Sequence, residues 1–354
     1  MGLMEQVLQL PHSKLSKVDI ETSQGPVTVT DYSVLPAPYN YVMVVPQPKL
    51  LELIVSNSQG YDGYHLLMGA RITGLIRASG KVVGLEVQKA DQNFQVAAQL
   101  VVGADGRHSK TRELIGEKPI RNAPPMDVLW FRLPRRDSDS ASRNLSVSYG
   151  RGFYVALTDK QDHWTVAYVM KKGAYRELRQ QGIESFRNSI SALLPEFRQR
   201  LDELDWPAIF YLAPDSSRCR TWHRDGLLLI GDAAHVMSSV GGLGIQTAIG
   251  DAVVVANRLA VALRQRKLTR WHLRAVQLRR WLVVAALQLV QRTGQKSVIA
   301  RILDPERPFT VPFYLRSRPM QWLTGWVVGY GLKLELPDRS LWRGTWRSHQ
   351  LGQR

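Results

Sequence analysis

Two carboxylates, each beside a glycine at the end of an apolar run, are the residues best placed to do chemistry in this chain. The first lies in Val101-Val102-Gly103-Ala104-Asp105-Gly106-Arg107-His108-Ser109, with Arg112 just beyond. An apolar strand here runs into Asp105 on a tight glycine turn and then into a helix. That sets a carboxylate at the carboxyl end of a buried strand, where α/β sheets bind ligands. Gly106 lets a backbone or ligand approach closely. By itself this string is equally well read as a plain strand–turn–helix corner.

The second string, residues 226–251, reads GLLLIGDAAHVMSSVGGLGIQTAIGD. A fully apolar strand ends at Gly231-Asp232-Ala233, and Gly241, Gly242 and Gly244 then lead into a helix. A glycine-rich turn at a helix amino end presents unpaired N–H groups and the positive end of the helix dipole. It suits a phosphate or the negative charge of a reduced flavin ring. Asp232 is set to accept hydrogen bonds from sugar-type hydroxyls. His235 reads as a packing or capping histidine rather than a proton carrier, so no catalytic acid or base is assigned.

The elements that must position these groups follow from pattern. Residues 1–10 suggest a short helix, 16–30 a hairpin around Gln24-Gly25-Pro26, and 41–45 a strand running into a helix that Pro46-Gln47-Pro48 opens. Strands are expected at 65–67, 71–78, 82–88 and 96–102. Residues 119–125 read as a linker. Antiparallel strands are expected at 128–133, 145–149, 153–157 and 164–169, with helices at 175–181 and 183–194. The second motif's strand covers 227–230 and its helix 246–263. Helix continues over 270–303, and short helices broken by Pro308, Pro312 and Pro319 close the chain.

The two motifs resemble the internal FAD motifs of the aromatic-hydroxylase-like (UbiH-type) flavin monooxygenases. Asp105-Gly106 matches the Asp-Gly motif and Gly231-Asp232 the Gly-Asp motif. Leu10-Pro-His-Ser-Lys14, Met43-Val-Val-Pro-Gln47, Leu67-Met-Gly-Ala70 and Gly80-Lys-Val-Val-Gly84 resemble a branch of FAD-dependent oxidoreductases. The resemblance implies FAD as cofactor and NAD(P)H as electron donor. It also implies a flavin hydroperoxide, formed with dioxygen, that hydroxylates an aromatic or lipophilic, for example polyprenylated, small molecule. Asp232, with Gly231 and Ala233, would hold the ribityl or pyrophosphate region. Gly241, Gly242, Gly244, Ile245 and Gln246 would line the isoalloxazine, and Gln47 would touch the cofactor. Gly103, Asp105, Gly106 and Arg112 would support FAD and the nicotinamide donor. The family's glycine turn usually reads Pro-Pro and then Gly-Gln-Gly-Met-Asn. Here the positions are Ser238-Ser239 and Gly242-Leu243-Gly244-Ile245-Gln246.

The fold class implied is α/β: an incomplete Rossmann-like FAD-binding domain with an inserted antiparallel substrate sheet and a helical C-terminal region. The expected divisions are residues 1–40 (substrate-domain crossover strands), 41–120 (FAD domain, first part), 121–217 (substrate sheet and helices), 218–264 (FAD domain, second part) and 265–354 (basic C-terminal region). "Incomplete" reflects the absence of any G-x-G-x-x-G in the chain. The competing expectation is therefore a truncated, inactive remnant with a basic surface-binding tail.

Composition sets the outer limits. The chain has 354 residues, 44% hydrophobic and 22% charged, which excludes wholesale disorder. One cysteine, Cys219, excludes an intramolecular disulfide framework and a multi-cysteine metal site, and no metal is expected. The net charge of +17 is concentrated at one end. Residues 264–354 hold 18 lysines and arginines against 4 acidic residues, and six of the ten tryptophans. Such a tail attracts anionic surfaces; it reads either as a membrane-surface contact near a lipophilic substrate or as an ordinary C-terminal helical cover with a solvated basic face, and nucleic acid is not expected, for want of a recognised motif. No uninterrupted apolar stretch suggests a spanning helix, and residues 1–10 lack the basic start of a secretory signal. The expected location is cytoplasmic, at most peripheral to a membrane. Serine-hydrolase and P-loop motifs are absent.

Overall fold

The computed structural model describes residues 2–139, 144–160, 162–307, 309–338 and 340. Trp342, Trp346 and Pro308 lie outside them. The chain opens with α1 (Met4–Gln9), β1 (Ser13–Leu15) and the hairpin β2 (Lys17–Thr22) and β3 (Gly25–Asp31). β4 (Val42–Val44) pairs antiparallel with β1 and leads into α2 (Gln47–Ser58). A meander follows: β5 (Ala70–Ala78), β6 (Lys81–Lys89) and β7 (Gln92–Ala97). The first motif is β8 (Val101–Gly103) and α3 (Lys110–Leu114).

After β9 (Ile120–Arg121), β10 (Met126–Pro134), β11 (Asn144–Tyr149), β12 (Phe153–Asp159) and β13 (His163–Lys171) build the largest sheet. α4 (Tyr175–Gln181), α5 (Ile183–Leu193) and α6 (Arg198–Leu201) follow, then β14 (Phe210–Leu212), β15 (Ser217–Arg218) and β16 (His223–Arg224). The second motif is β17 (Leu227–Leu229), β18 (His235–Val236) and α7 (Leu243–Arg264). α8 (Arg270–Gly294), one π-helical turn, α9 (Ala300–Ile302) and α10 (Arg318–Tyr330) complete it.

The large sheet runs β14-β10-β13-β12-β11-β2-β3, so the opening hairpin joins strands more than a hundred residues away. Its two faces follow from register. Leu129 opposes Tyr168, Phe131 opposes Val166 and Val155 opposes Tyr168; these pack with Phe186, Ile190 and Leu201 of the covering helices. Trp130 opposes Ala167, and Ala156 opposes Ala167 from the other side. This second face packs with Val240, Ile299 and Leu303. Successive side chains alternate faces, so one strand supplies both cores.

The cofactor-type sheet is small, in the order β16-β17-β8, with β8 and β17 parallel. Val101, Leu227, Leu228 and Leu229 are buried in it against Leu243 and Val254 of α7 and Leu273, Val276 and Val284 of α8. Two expectations are corrected. Residues 65–67 are not a strand. Residues 96–102 are not one strand: β7 ends at Ala97 in the meander and β8 restarts at Val101 in another sheet, since a hairpin and a parallel ladder need different directions. Among the described residues, 240–264 form a helix long and apolar enough, by length and composition, to cross a membrane. In this fold it packs on α8 and carries the fully buried Asp251.

Candidate functional site

β8 and β17 bring the two motifs to one end of one sheet. Leu229 stands opposite Gly103 in the parallel ladder, so Asp105 and Asp232 extend from neighbouring strand tips. The close pairing explains Gly103: a Cβ there would lie 2.8 Å from both Leu229 Cδ2 and Thr111 Cγ2.

The two aspartates then differ. Asp105 Oδ1 accepts from Ser109 Oγ at 2.5 Å and Oδ2 from the Thr111 N–H at 2.8 Å. Partial burial pushes this carboxyl up, but the hydrogen bonds from Ser109 and Thr111 outweigh it and hold it below the usual carboxylate range. Asp105 is thus engaged in shaping the turn into α3. The half-buried Asp232 carboxylate has no hydrogen bond or ion pair among the described residues, although its own carbonyl and the Gly231 N–H beside it are both paired.

Arg112, expected to support the cofactor and its donor, ties the two motifs together. Its buried guanidinium donates to Ala233 O at 3.0 Å, to Asp232 O at 3.3 Å and to Arg107 O at 2.7 Å. Gly106 has φ 81 and Gly231 φ 55, values that favour glycine. Cys219 is buried behind Ala233, and burial pushes its thiol up to about 12.

Gly241 (φ 78) and Gly242 (φ 66) bend the chain into α7, whose amino end has no side-chain cap. Among the described residues no side chain takes up its first N–H groups, which have no acceptor within the helix. Gly244 is half-buried and Ile245 is 56% exposed beside them. Gln246 turns elsewhere: Nε2 donates to Gly329 O of α10 at 2.9 Å. Gln47 is exposed at the start of α2, and no hydrogen bond or ion pair ties it to either motif among the described residues. A shallow cavity lined by Lys81, Gln99 and Arg266 lies elsewhere, by the amino ends of β8 and β17, so it is separate from this site.

Sequence reading missed the support behind the second motif. Asp251 Oδ2 accepts from the Gly231 N–H at 2.9 Å and pairs with His235 Nε2 at 2.6 Å; Oδ1 accepts from Arg280 Nε at 2.7 Å. Burial pushes the Asp251 carboxyl up, but His235 and Arg280 more than offset it and hold it below the usual range. An acid inside the apolar run 248–255 was the available signal. Gly250 was another: a Cβ there would lie 2.9 Å from Arg280 Nη2.

Strand tips bearing Gly-Asp, an uncapped helix amino end and an appended antiparallel sheet define a flavoprotein of the Rossmann-like α/β class. A family model described as FAD binding domain matches residues 1–289, and the chain belongs to this family of aromatic-hydroxylase-like flavoproteins. It is 34% identical over 254 residues to 6-methylpretetramide 4-monooxygenase of Streptomyces rimosus, covering 71% of this chain and 60% of that protein. It is 29% identical over 189 residues to aklavinone 12-hydroxylase DnrF of Streptomyces peucetius, covering 48% and 35%. The chain thus spans about a third to three fifths of the length of these two relatives. Its fold is similar to that of PqsL from Pseudomonas aeruginosa in complex with 2-aminobenzoylacetate, with TM-score 0.71, 19% identity, and 86% and 82% of the two chains covered.

The residues present fit the ring and ribityl part of FAD. An unpaired carboxylate at a strand tip and unpaired helix N–H groups are what its hydroxyls and reduced ring require.

Proposed function

We propose that this chain is an FAD-dependent, NAD(P)H-linked monooxygenase that hydroxylates an aromatic or polyprenylated small molecule. The observation that carries the reading is the unpartnered Asp232 carboxylate on a strand-tip turn that packs against α7, a helix whose amino end has no side-chain cap. Bound FAD would accept electrons from the nicotinamide and activate dioxygen. The chain's own residues bind and orient. Asp232 accepts hydrogen bonds from ribityl hydroxyls, flanked by Gly231 and Ala233. Gly241, Gly242, Gly244 and Ile245 let the ring approach the helix, whose dipole favours negative charge there. Asp105 and Arg112 hold the turns, and Gly103 and Gly106 permit their close approach.

The aromatic substrate would lie against the inner face of the large sheet. Trp130, Tyr154, Ala156 and Ala167 sit on the face that packs with Val240, the residue before the glycine pair. An apolar wall excludes water from the reacting ring and leaves orientation to shape. The relatives' names, a 6-methylpretetramide 4-monooxygenase and an aklavinone 12-hydroxylase, support a small-molecule substrate that is hydroxylated at a defined position.

The test is a flavin titration followed by fluorescence quenching, on this chain and on Asp232→Ala. Saturable binding by the first and at least tenfold weaker binding by the second supports the reading. Absence of saturable binding to the unaltered chain overturns it. Substrate-dependent NAD(P)H oxidation with matching oxygen uptake then separates monooxygenase from reductase.

A further inference from the structure

The segment after residue 289 lies beyond the family match, yet it returns to the cofactor side of the molecule. α10 lies along β3, where Gln321 Nε2 donates to Thr28 O at 2.8 Å and Thr324 Oγ1 to Val29 O at 3.1 Å. Past Gly331 the chain runs back as a strap over α7 and α8. Asn257 of α7 holds it at both atoms of its amide: Nδ2 donates to Leu336 O and Oδ1 accepts from the Asp338 N–H, each at 2.8 Å.

Between these anchors the strap is built inside out. Leu334 and Leu336 are 55% and 69% exposed, while Glu335 between them is only 9% exposed. Burying a carboxylate and exposing two leucines is costly, so the arrangement needs strong partners. Glu335 Oε2 accepts from Arg279 Nε at 3.1 Å and Nη2 at 2.7 Å. Oε1 is buried without a hydrogen bond and lies 3.9 Å from Arg280 Nη1. Arg280 is itself buried and holds Asp251 Oδ1 and, through Nη2, Thr247 O at 3.2 Å. Asp251 in turn holds the Gly231 N–H.

We propose that Glu335 is a remote positioning residue: through Arg280 and Asp251, the C-terminal strap sets the Gly231–Asp232 turn and hence the affinity for flavin. Arg280 sits between two carboxylates. Removing one charge shifts the guanidinium toward the other, and the atom that moves with Asp251 is the amide of the cofactor-facing glycine. The proposal rests on the reading that Asp232 faces FAD.

The experiment uses the full chain with Glu335→Gln, which keeps the shape and removes the charge. Amide hydrogen exchange is read by mass spectrometry without flavin, and FAD binding by fluorescence quenching. About tenfold faster exchange confined to the strap and residues 231–235, with FAD bound three- to tenfold more weakly, is expected. In an Asp251→Asn background the effect of Glu335→Gln on residues 231–235 should vanish, because the two act through one arginine. Gln321→Ala, which loosens α10 from β3, should leave exchange at 231–235 unchanged.

Unchanged exchange at 231–235 in Glu335→Gln, or a rise spread evenly over the protein, overturns the proposal. If that variant does not fold, Arg279→Gln replaces it and should give a smaller rise at the same residues; no rise there overturns the proposal equally. Failure of the unaltered chain to bind FAD defeats the cofactor reading, and the exchange result still decides whether strap and turn are coupled.

Discussion

Asp105 and Asp232 share a position at a strand tip and differ in what they already hold. Asp105 accepts from Ser109 and Thr111, so Asp105→Ala should behave like loss of a helix cap and cost about 0.5–2 kcal/mol. A urea unfolding series reads this as a lower midpoint at constant slope. Asp232→Ala removes no internal hydrogen bond, so its stability should stay within about 0.5 kcal/mol while flavin binding is lost. Asp251 gives the pH dependence. Its folded carboxyl titrates below its unfolded value, so its stabilisation is complete above the unfolded pKa of about 4 and drains away as pH falls through the lower folded value. Thermal midpoints between pH 3 and 7 should therefore fall more steeply on the acid side for the unaltered chain than for Asp251→Asn. Residue types alone picked out Asp232 as a candidate, because it stands beside a glycine at the end of an apolar strand. They could not separate it from Asp105, since that distinction lies in which donors are nearby.

Elements were legible where pattern was local. The hairpin at 17–31, α2, the four central strands of the large sheet and α7 all follow from alternation, proline placement or apolar run length. The break between β7 and β8 was not, because Val96 to Val102 reads as one apolar stretch and only the partners differ. Arg112 was likewise legible as a motif residue but not as the tie between motifs 120 residues apart. Its guanidinium satisfies backbone carbonyls of Arg107, Asp232 and Ala233. Arg112→Met, which keeps the buried stem, should therefore cost about 1.5–3 kcal/mol, since charged hydrogen bonds are lost and carbonyls are left unsatisfied. Chemical denaturation measures the loss. FAD titration of the variant should also weaken, because the Gly-Asp turn loses its hold on the first motif.

At the scale of the whole molecule, the decisive contact is between the inner face of the large sheet and the glycine turn. Hydrophobic alternation announced two faces but not which one would meet Val240, because that depends on where α7, α9 and the strap carry the chain in space. Under the function proposed above, the inner face is a specificity surface distinct from the residues proposed to hold the cofactor. Ala156 and Ala167 stand opposite each other there, with Trp130 across from Ala167 on the other side and Tyr154 two residues along the strand from Ala156. Ala156→Leu adds bulk at that small pair, and the packing penalty should be about 1–3 kcal/mol, tolerable in a domain of ordinary stability. Because Ala156 is not among the residues proposed to hold the cofactor, FAD affinity should change less than twofold. KM for an aromatic substrate should rise about tenfold or more, as the ring loses its proposed seat against the wall. A variant that weakened FAD binding and left KM unchanged would move the substrate to another face and reassign this one to cofactor support.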